Sequence, residues 1–508
     1  MRQAAALGAL AGAVLGTRIP FRTHYLLNWD AAQFALGISH FDVVHHQPHP
    51  PGYIGYVGLG RLLLPLFGDP NGALVALSIA GECGGVIAAF LFARRLFGNG
   101  AAWVTAAAMV ASPLFWYYGE AANTYAIEPL TVIAIAWCAW RCWNRELPAA
   151  LPLGLAVAAA GALRPSTAVL MAPLVLLALW RLGSARAALT AIAAAAAGTL
   201  LWLLPLVVLS GGPLAYLRVS LVLGGDVTSS TAIWRAGPAG LLTTSEGVLR
   251  GVVWELGGFT VLALFGLLAA PRLVKDRDRL AAGWTLFAWV WALPGLLTFL
   301  LVHIGQVVYV QLFMPALFLS LGPAVFASAR ALGRPALAGP LTALGAAASA
   351  AIFLLPPHWS LAGQLRQHDV LVEEMVATVG GYDPDHTVLV ADAYAIGSYR
   401  TAQVYLPDYH RVGVAADHQG RLGEIFGDVY QPENFDDASP LVLPSATDTL
   451  IFLDRSLVDA EVADPERLTT LRMSDGSPIY VWKGPAPRIW RNQLWLGPPY
   501  AERRGLES

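Results

Sequence analysis

Charge is what this sequence has least of. Of its 508 residues only 13% are Asp, Glu, Lys or Arg, against 56% hydrophobic residues, where a soluble chain carries roughly 25% charged residues. The class is therefore an integral membrane protein. Cysteine is scarce as well: Cys83, Cys138 and Cys142 all fall in apolar segments, and the polar C-terminal part has none. That excludes a disulfide framework and removes support for zinc clusters of the cysteine type. No internal repeat at a fixed period stands out, which weakens an inverted-repeat transporter reading. The opening run, MRQAAALGALAGAVLG, has a signal-like apolar core but no clean small-x-small cleavage site before the polar loop, so it reads as an uncleaved first span.

What is present in abundance is apolar runs. Stretches near the roughly 17–25 residues that a bilayer crossing takes are predicted at 3–20, 71–93, 101–118, 124–141, 149–163, 167–181, 187–210, 248–271, 281–301, 307–328 and 336–357. Basic residues near span ends set the orientation. Arg94/Arg95, Arg141/Arg145, Arg181/Arg186, Arg272/Lys275/Arg277/Arg279 and Arg330/Arg334 mark alternate loops as cytoplasmic. The opposite set, including 116–123, 210–246 and 303–306, then faces outward. Ile54–Phe67 decides the parity: it is apolar but short, carries Arg61 and Pro65, and follows two prolines. Laid along the outer interface as an amphipathic helix, it leaves about eleven spans, N-terminus inside and C-terminus outside.

Beyond Pro357 the composition turns to Asp, Glu, His, Tyr and Gln. The predicted organisation is a transmembrane domain at 1–357, with its first outer loop at 21–70, and an extracytoplasmic α/β domain at 358–508. The segments 387–391 (TVLVA), 411–414 (RVGV), 449–453 (TLIFL) and 479–482 (IYVW) are β-like, and 364–379 is helix-like.

The chemistry concentrates in 28–53, NWDAAQFALGISHFDVVHHQPHPPGY, which holds Asp30, Asp42, His40, His45, His46 and His49. Titratable groups clustered beside a bilayer are expensive and point to function. Asp30 opens the helix-like stretch 31–38. A carboxylate there caps free N–H groups and suits the helix dipole; alternatively it accepts a proton from an attacking hydroxyl at the membrane surface. Asp42 is the alternative base, or a group that orients a histidine or binds a metal. His45 and His49 have the i, i+4 spacing of helical zinc sites, but Pro48, Pro50 and Pro51 disfavour a regular helix there. His46 or His49 is better suited to donate to a phosphate. Tyr53 follows the Pro50-Pro51-Gly52 turn, with a structural role at the interface as the competing explanation. In the second outer loop, GEAANTYAIE, the acidic Glu120 and Glu128 are candidates for sugar hydroxyls, a metal or a basic acceptor, with Tyr125 a further substrate-binding candidate, while Glu128 also suits pairing inside the bundle. Glu82, midway along its span, calls for protonation or an interhelical partner.

The aspartate soon after the first span, Phe41-Asp42-Val43, and His49-Pro50-Pro51-Gly52 together resemble the first luminal loop of protein O-mannosyltransferases. Bacterial lipid A aminoarabinose transferases and related membrane glycosyltransferases of the GT-C fold share this layout. The similarity continues through Arg94-Arg95-Leu96-Phe97-Gly98 and Ser112-Pro113-Leu114-Phe115, covers the membrane part to about Ser360, and is specific around 30–53. The resemblance implies a GT-C-like fold and transfer of a sugar from a polyprenyl-phosphate donor to a cell-envelope polysaccharide, glycolipid or protein. That transfer would be inverting, with Asp30 as base, at the outer face of a bacterial inner membrane. Mannosyltransferases carry Asp-Glu where this chain has Asp30-Ala31, so acceptor or sugar is open to difference, and the arginine expected at the start of the second span is missing from 71–78.

An inverting displacement uses one base and no covalent carboxylate nucleophile, together with cationic or hydrogen-bonding groups at the departing phosphate. Candidates on the same side are Arg164, Arg218, Arg235, His303, Gln306 and Tyr309. Snorkelling accounts equally for Arg164, and a plain polar turn for 303–309. No cofactor is implied; the histidine and acidic loops are compatible with a divalent metal without requiring one. The competing class is a polytopic transporter or lipid flippase, for which Glu82 and Glu255 are the main evidence; a scaffold or sensor is the third.

Overall fold

The computed structural model describes residues 2–264, 279–356, 360–392, 399–416, 422–424, 443–453, 461–462, 467–485, 489–490 and 493–496. The end of the span expected at 248–271, the basic loop Arg272/Lys275/Arg277 and the boundary expected at 357/358 lie outside these residues. The chain divides into two compact units. One comprises residues 1–23, 41–43 and 50–365, the other 24–40, 44–49 and 366–508.

The first unit is a helical bundle. Its helices are α1 (Arg2–Arg18), α3 (Ile54–Phe67), α4 (Pro70–Phe97), α5 (Asn99–Ala111), α6 (Pro113–Gly119), α7 (Glu128–Trp143), α8 (Ala150–Leu163), α9 (Pro165–Leu182), α10 (Ala185–Leu209), α11 (Pro213–Ser229), α12 (Ile233–Leu256), α13 (Arg279–Leu301), α14 (Met314–Ala331) and α15 (Ala338–Leu354). Among the described residues, eight helices are long and apolar enough to cross a membrane, and Ile54–Phe67, Asn99–Ala111 and Leu147–Leu163 are shorter apolar helices. The protein is thus a polytopic helical membrane protein; length and composition support eight crossings, and the expected count of eleven is not established by them. Many of these helices start where the sequence punctuates: Pro stands in the first turn of α4, α6, α7, α9, α11 and α14, the position where its missing N–H costs nothing. Ser112 and Pro113 split the expected span 101–118 into α5 and α6, with the Ser112 hydroxyl accepting from Phe115 N. The segment 210–246, read as an outer loop, is largely helical: α11 and the first turns of α12 occupy it.

The buried charges of the bundle have partners. Arg18 Nε lies 2.6 Å from Glu82 Oε2, with both side chains fully buried, and Arg18 Nη1 donates to the Val110 carbonyl at 2.8 Å. Glu255 Oε2 accepts from the Ser112 hydroxyl at 3.1 Å. Glu82 therefore has the interhelical partner its depth demands. A Cβ on Gly119 would overlap the Glu82 carboxyl group, so the pair fits only against a bare backbone. Gly119→Ala is expected to destabilise the bundle by about 1–3 kcal/mol through overpacking, seen as a lower thermal midpoint in detergent.

The second unit contains α2 (Trp29–Ser39), α16 from Arg366 onward (the helix itself runs Leu361–Val379), α17 (Tyr399–Tyr405) and two sheets. Strands β1 (Thr387–Asp392), β2 (His410–Ala416) and β4 (Thr449–Phe452) run parallel, with β3 (Leu422–Glu424), β7 (Pro478–Lys483) and β6 (Leu468–Arg472) added antiparallel in the order β3-β2-β1-β4-β7-β6. A small sheet joins β5 (Glu461–Val462), β9 (Gln493–Leu496) and β8 (Ile489–Trp490). The near-continuous apolar run of β1 follows from burial on both faces, as expected of a central parallel strand. Leu389 and Ala391 pack with Val372, Met375 and Val379 of α16, while Val388 and Val390 alternate to the other face with Leu450, Phe452 and Trp482. The four segments read as β-like became β1, β2, β4 and β7, and the helix read at 364–379 became α16.

Candidate active site

Polar residues gather in two centres, one within each unit. The first is built on α2. Asn28, extended at φ −153° and ψ 179°, caps the helix by accepting from Ala31 N, so Asp30 is in the first turn without being the cap. Its carboxylate still gains from the helix dipole. Three and four residues on, Gln33 and Phe34 share its face. Gln33 Oε1 accepts the His49 backbone N–H at 3.2 Å and stands 2.6 Å from His49 Nδ1. A backbone N–H only donates, which identifies that Gln33 atom as oxygen, and an amide oxygen only accepts. Nδ1 of His49 therefore carries hydrogen, leaving the lone pair of the neutral ring on Nε2. Asp30 Oδ1 is 3.8 Å from the same Nδ1, and the Phe34 ring packs against the imidazole at 5.6 Å between centroids. The structure thus brings Asp30 and His49 together, with Gln33 as the orienting residue that sequence reasoning missed. Its signal was the i, i+3 spacing from Asp30.

His46 adopts a left-handed backbone, φ 57°. Burial, then the His49, Arg400 and His45 charges, lower its pKa from 6.5 to about 3. It is neutral at physiological pH, which suits a hydrogen-bonding role better than a charged one. The sign of the linkage is definite: the unfolded chain takes up this proton below pH 6.5 and the folded one does not until about 3, so stability is full above pH 6.5 and drains as pH falls through that window. His46→Gln is expected to flatten the fall of the thermal midpoint between pH 7 and 5; an unchanged slope would remove His46 as its source.

Asp42 is half-buried in the 41–43 segment, which belongs to the membrane unit rather than to the unit of Asp30. Its neighbour Val43 packs with Leu206 and Val219.

The second centre lies in the membrane unit around Arg164. The residue ends α8 and begins α9 in an extended conformation, φ −152° and ψ 98°, because Pro165 bars helical geometry at the preceding position. Its guanidinium lies over the rings of Tyr125, 4.6 Å, and Tyr309, 5.1 Å. Nη1 donates to Thr124 Oγ1 at 3.0 Å, and Nε is 3.4 Å from Glu128 Oε1. Thr167 donates to the same Glu128 oxygen at 2.5 Å. Tyr53, with φ 43° at the start of α3, is a further electrostatic neighbour of Arg164. Tyr118 packs edge-on to Tyr125, 5.3 Å between centroids, and donates to Gln306 Oε1 at 3.1 Å. His303 sits 6.4 Å from Tyr309 and hydrogen-bonds Thr231 through Nδ1 at 3.0 Å; burial lowers its pKa. Tyr53, Tyr125, Arg164, His303, Gln306 and Tyr309 are thereby brought into one contiguous cluster, and Arg164 is anchored by Glu128 rather than snorkelling.

Glu120 is drawn elsewhere: Trp116 Nε1 donates to its carboxylate at 2.6 Å, and Thr23 N donates to its backbone carbonyl at 2.8 Å. Arg218 and Arg235 are exposed; Arg235 donates to the Gly225 carbonyl. Among the described residues, no group of three or more His, Cys, Asp or Glu side chains is arranged to hold a metal, so the i, i+4 histidines do not form a ligand set with a third partner.

Residues 49–210 match the family model of dolichyl-phosphate-mannose-protein mannosyltransferases. The match takes in the His49–Tyr53 turn, Tyr125, Glu128 and Arg164, and begins after Asp30 and Asp42. No curated protein sequence matches the chain. In fold it is similar to ArnT from Cupriavidus metallidurans in the apo state, with a TM-score of 0.60, 14% identity and coverage of 94% of this chain and 97% of that one. The same protein bound to undecaprenyl phosphate aligns with a TM-score of 0.59 and 13% identity, over 95% of this chain and 97% of that one.

Proposed function

We propose that this multi-pass membrane protein, similar in fold to ArnT and matching the protein mannosyltransferase model over 49–210, transfers one sugar from a polyprenyl-phosphate donor to a hydroxyl or amine of a cell-envelope polysaccharide, glycolipid or protein. The reaction would take place at the outer face of a bacterial inner membrane, with the domain at 358–508 outside the cell. The observation that carries this reading is the match over 49–210, which contains the Arg164, Glu128 and Tyr125 cluster. The fold relative ArnT, seen with undecaprenyl phosphate, supports a donor of that class.

In the proposed step the acceptor oxygen or nitrogen forms a bond to the anomeric carbon as its proton passes to Asp30. The bond from that carbon to the phosphate oxygen breaks, and the polyprenyl phosphate leaves with the electron pair. A single displacement inverts the anomeric centre, and one carboxylate suffices. Asp42 is the alternative base. Arg164, Tyr53, Tyr125, Gln306, Tyr309 and His303 supply the donors that stabilise charge on the departing phosphate, and His46 and His49 supply neutral hydrogen bonds to substrate. Glu120, held by Trp116, would act on substrate less directly. The domain at 358–508 would help bind the acceptor.

The test is an in vitro assay of the purified protein with a panel of polyprenyl-phosphate sugars and envelope extracts, followed by mass analysis. Added saccharide mass on one acceptor class is expected. Movement of substrate across sealed vesicles, with no product formed, would establish the transporter alternative instead.

A further inference from the structure

Within the unit formed by 24–40, 44–49 and 366–508, the segment that carries Asp30 is held by side chains of the C-terminal part of the chain. Asp369 on α16 accepts from His24 N at 2.8 Å and Tyr25 N at 3.1 Å, one through each carboxylate oxygen. Tyr405 on α17 receives Leu26 N at 2.8 Å, and His368 Nε2 donates to the Leu26 carbonyl at 3.0 Å. These bonds fix the backbone leading to α2. Arg400, also on α17 and 5% exposed, reaches further. Its Nη2 donates to the His45 carbonyl at 2.6 Å, its Nη1 to Gln403 Oε1 at 2.9 Å, and its Cζ lies over the Trp29 ring, 5.6 Å from the centroid.

Trp29 precedes Asp30, and His45 begins the arm that ends at His49. One side chain therefore touches both strands of the polypeptide whose tips meet as the Asp30 and His49 pair. The guanidinium does this with one N–H on a carbonyl and its central carbon over an indole, a branched reach that the single nitrogen of an ammonium group reproduces poorly. Its burial keeps water from competing for either contact.

Resting on the glycosyltransferase reading, we infer that Arg400 is a positioning residue for the proton-accepting centre: it sets the spacing between the Asp30 helix and the His45–His49 arm. The C-terminal domain then contributes to the catalytic apparatus in addition to acceptor binding. Arg400 takes no proton and touches no reacting atom. Its loss acts through the Asp30 to His49 separation, and misplacement by about 1 Å is worth up to about 100-fold in rate.

The experiment compares wild type, Arg400→Ala, Arg400→Lys and Trp29→Leu in detergent, measuring kcat and donor KM together with hydrogen exchange over 28–49. Arg400→Ala is expected to lower kcat by about 10- to 100-fold with donor KM changed less than about 2-fold. Exchange of the His45, His46 and His49 amides should quicken while β1 and β4 exchange as before. Added guanidinium should restore part of the Arg400→Ala rate and none of the Asp30→Asn rate, and Arg400→Lys should recover little. Trp29→Leu, which leaves α17 untouched, should give a smaller fall of the same kind, and it decides the matter if Arg400→Ala does not fold. Full kcat in Arg400→Ala and Trp29→Leu, or a fall with unaltered exchange over 44–49, overturns the inference. Wild-type protein that transfers no sugar from any donor sinks the glycosyltransferase reading itself, a result distinct from wild-type turnover indifferent to Arg400.

Discussion

Asp30→Asn is expected to cut turnover by about 100- to 10,000-fold, the range a positioned general base contributes, while donor affinity stays as in the wild type. The substitution is isosteric. Because Asn28 rather than Asp30 caps α2, the helix start should survive it, and the loss should be chemical. The asparagine amide cannot take the acceptor's proton, yet it still fills the space beside His49, 3.8 Å from Nδ1. Asp42→Asn is the matched comparison, since Asp42 is the other carboxylate of the loop. A large loss confined to Asp42→Asn would move the base to that residue, and unchanged turnover in Asp30→Asn would end the assignment. His49→Gln should lie between, because it removes a hydrogen bond proposed for the substrate while leaving the Asp30 carboxylate in place.

The second large effect is expected at Arg164, and it falls on stability before activity. Glu128 is 3% exposed and Arg164 10% exposed as side chains. Removing one member of a buried pair strands the other, at a cost of about 3–5 kcal/mol. Arg164→Gln should therefore lower the thermal midpoint sharply, and the double variant Arg164→Gln/Glu128→Gln should recover most of it, since no charge is left buried. The double variant separates two roles. If Arg164 serves only to neutralise Glu128, turnover returns with stability. If it meets the donor phosphate, as proposed, the protein is stable again but its donor KM stays raised and kcat low. Arg164→Lys should keep the charge and lose the stacking between Tyr125 and Tyr309, giving a partial loss.

Much of the architecture was legible beforehand because it is written in local runs. A span such as 187–210 is an uninterrupted apolar stretch, and its counterpart is the helix Ala185–Leu209. The strand β1 was equally plain, since TVLVA has the composition of a strand covered on both faces. The helix α11 lies inside the segment expected as an outer loop, although Leu214, Leu217 and Leu221 have helical spacing and are all exposed apolar side chains. In the candidate site, Arg164 and Tyr125 stood out singly, one as a charge among apolar residues and one inside a polar loop. Their stacking could not be read, because a cation-π contact depends on the approach of two elements.

The residues alone determined the membrane class, the placement of most apolar helices, the α/β character of the C-terminal part and the interest of Asp30. Each of these depends on hydropathy or periodicity over about 20 residues at most. Tertiary structure decided what the charges are for. Glu82 met Arg18 across 64 residues of sequence, and the backbone before Asp30 met Asp369 across 345 and 344. Burial makes an unpartnered charge or amide too costly to leave, so a partner must be found somewhere; the fold alone chose which one.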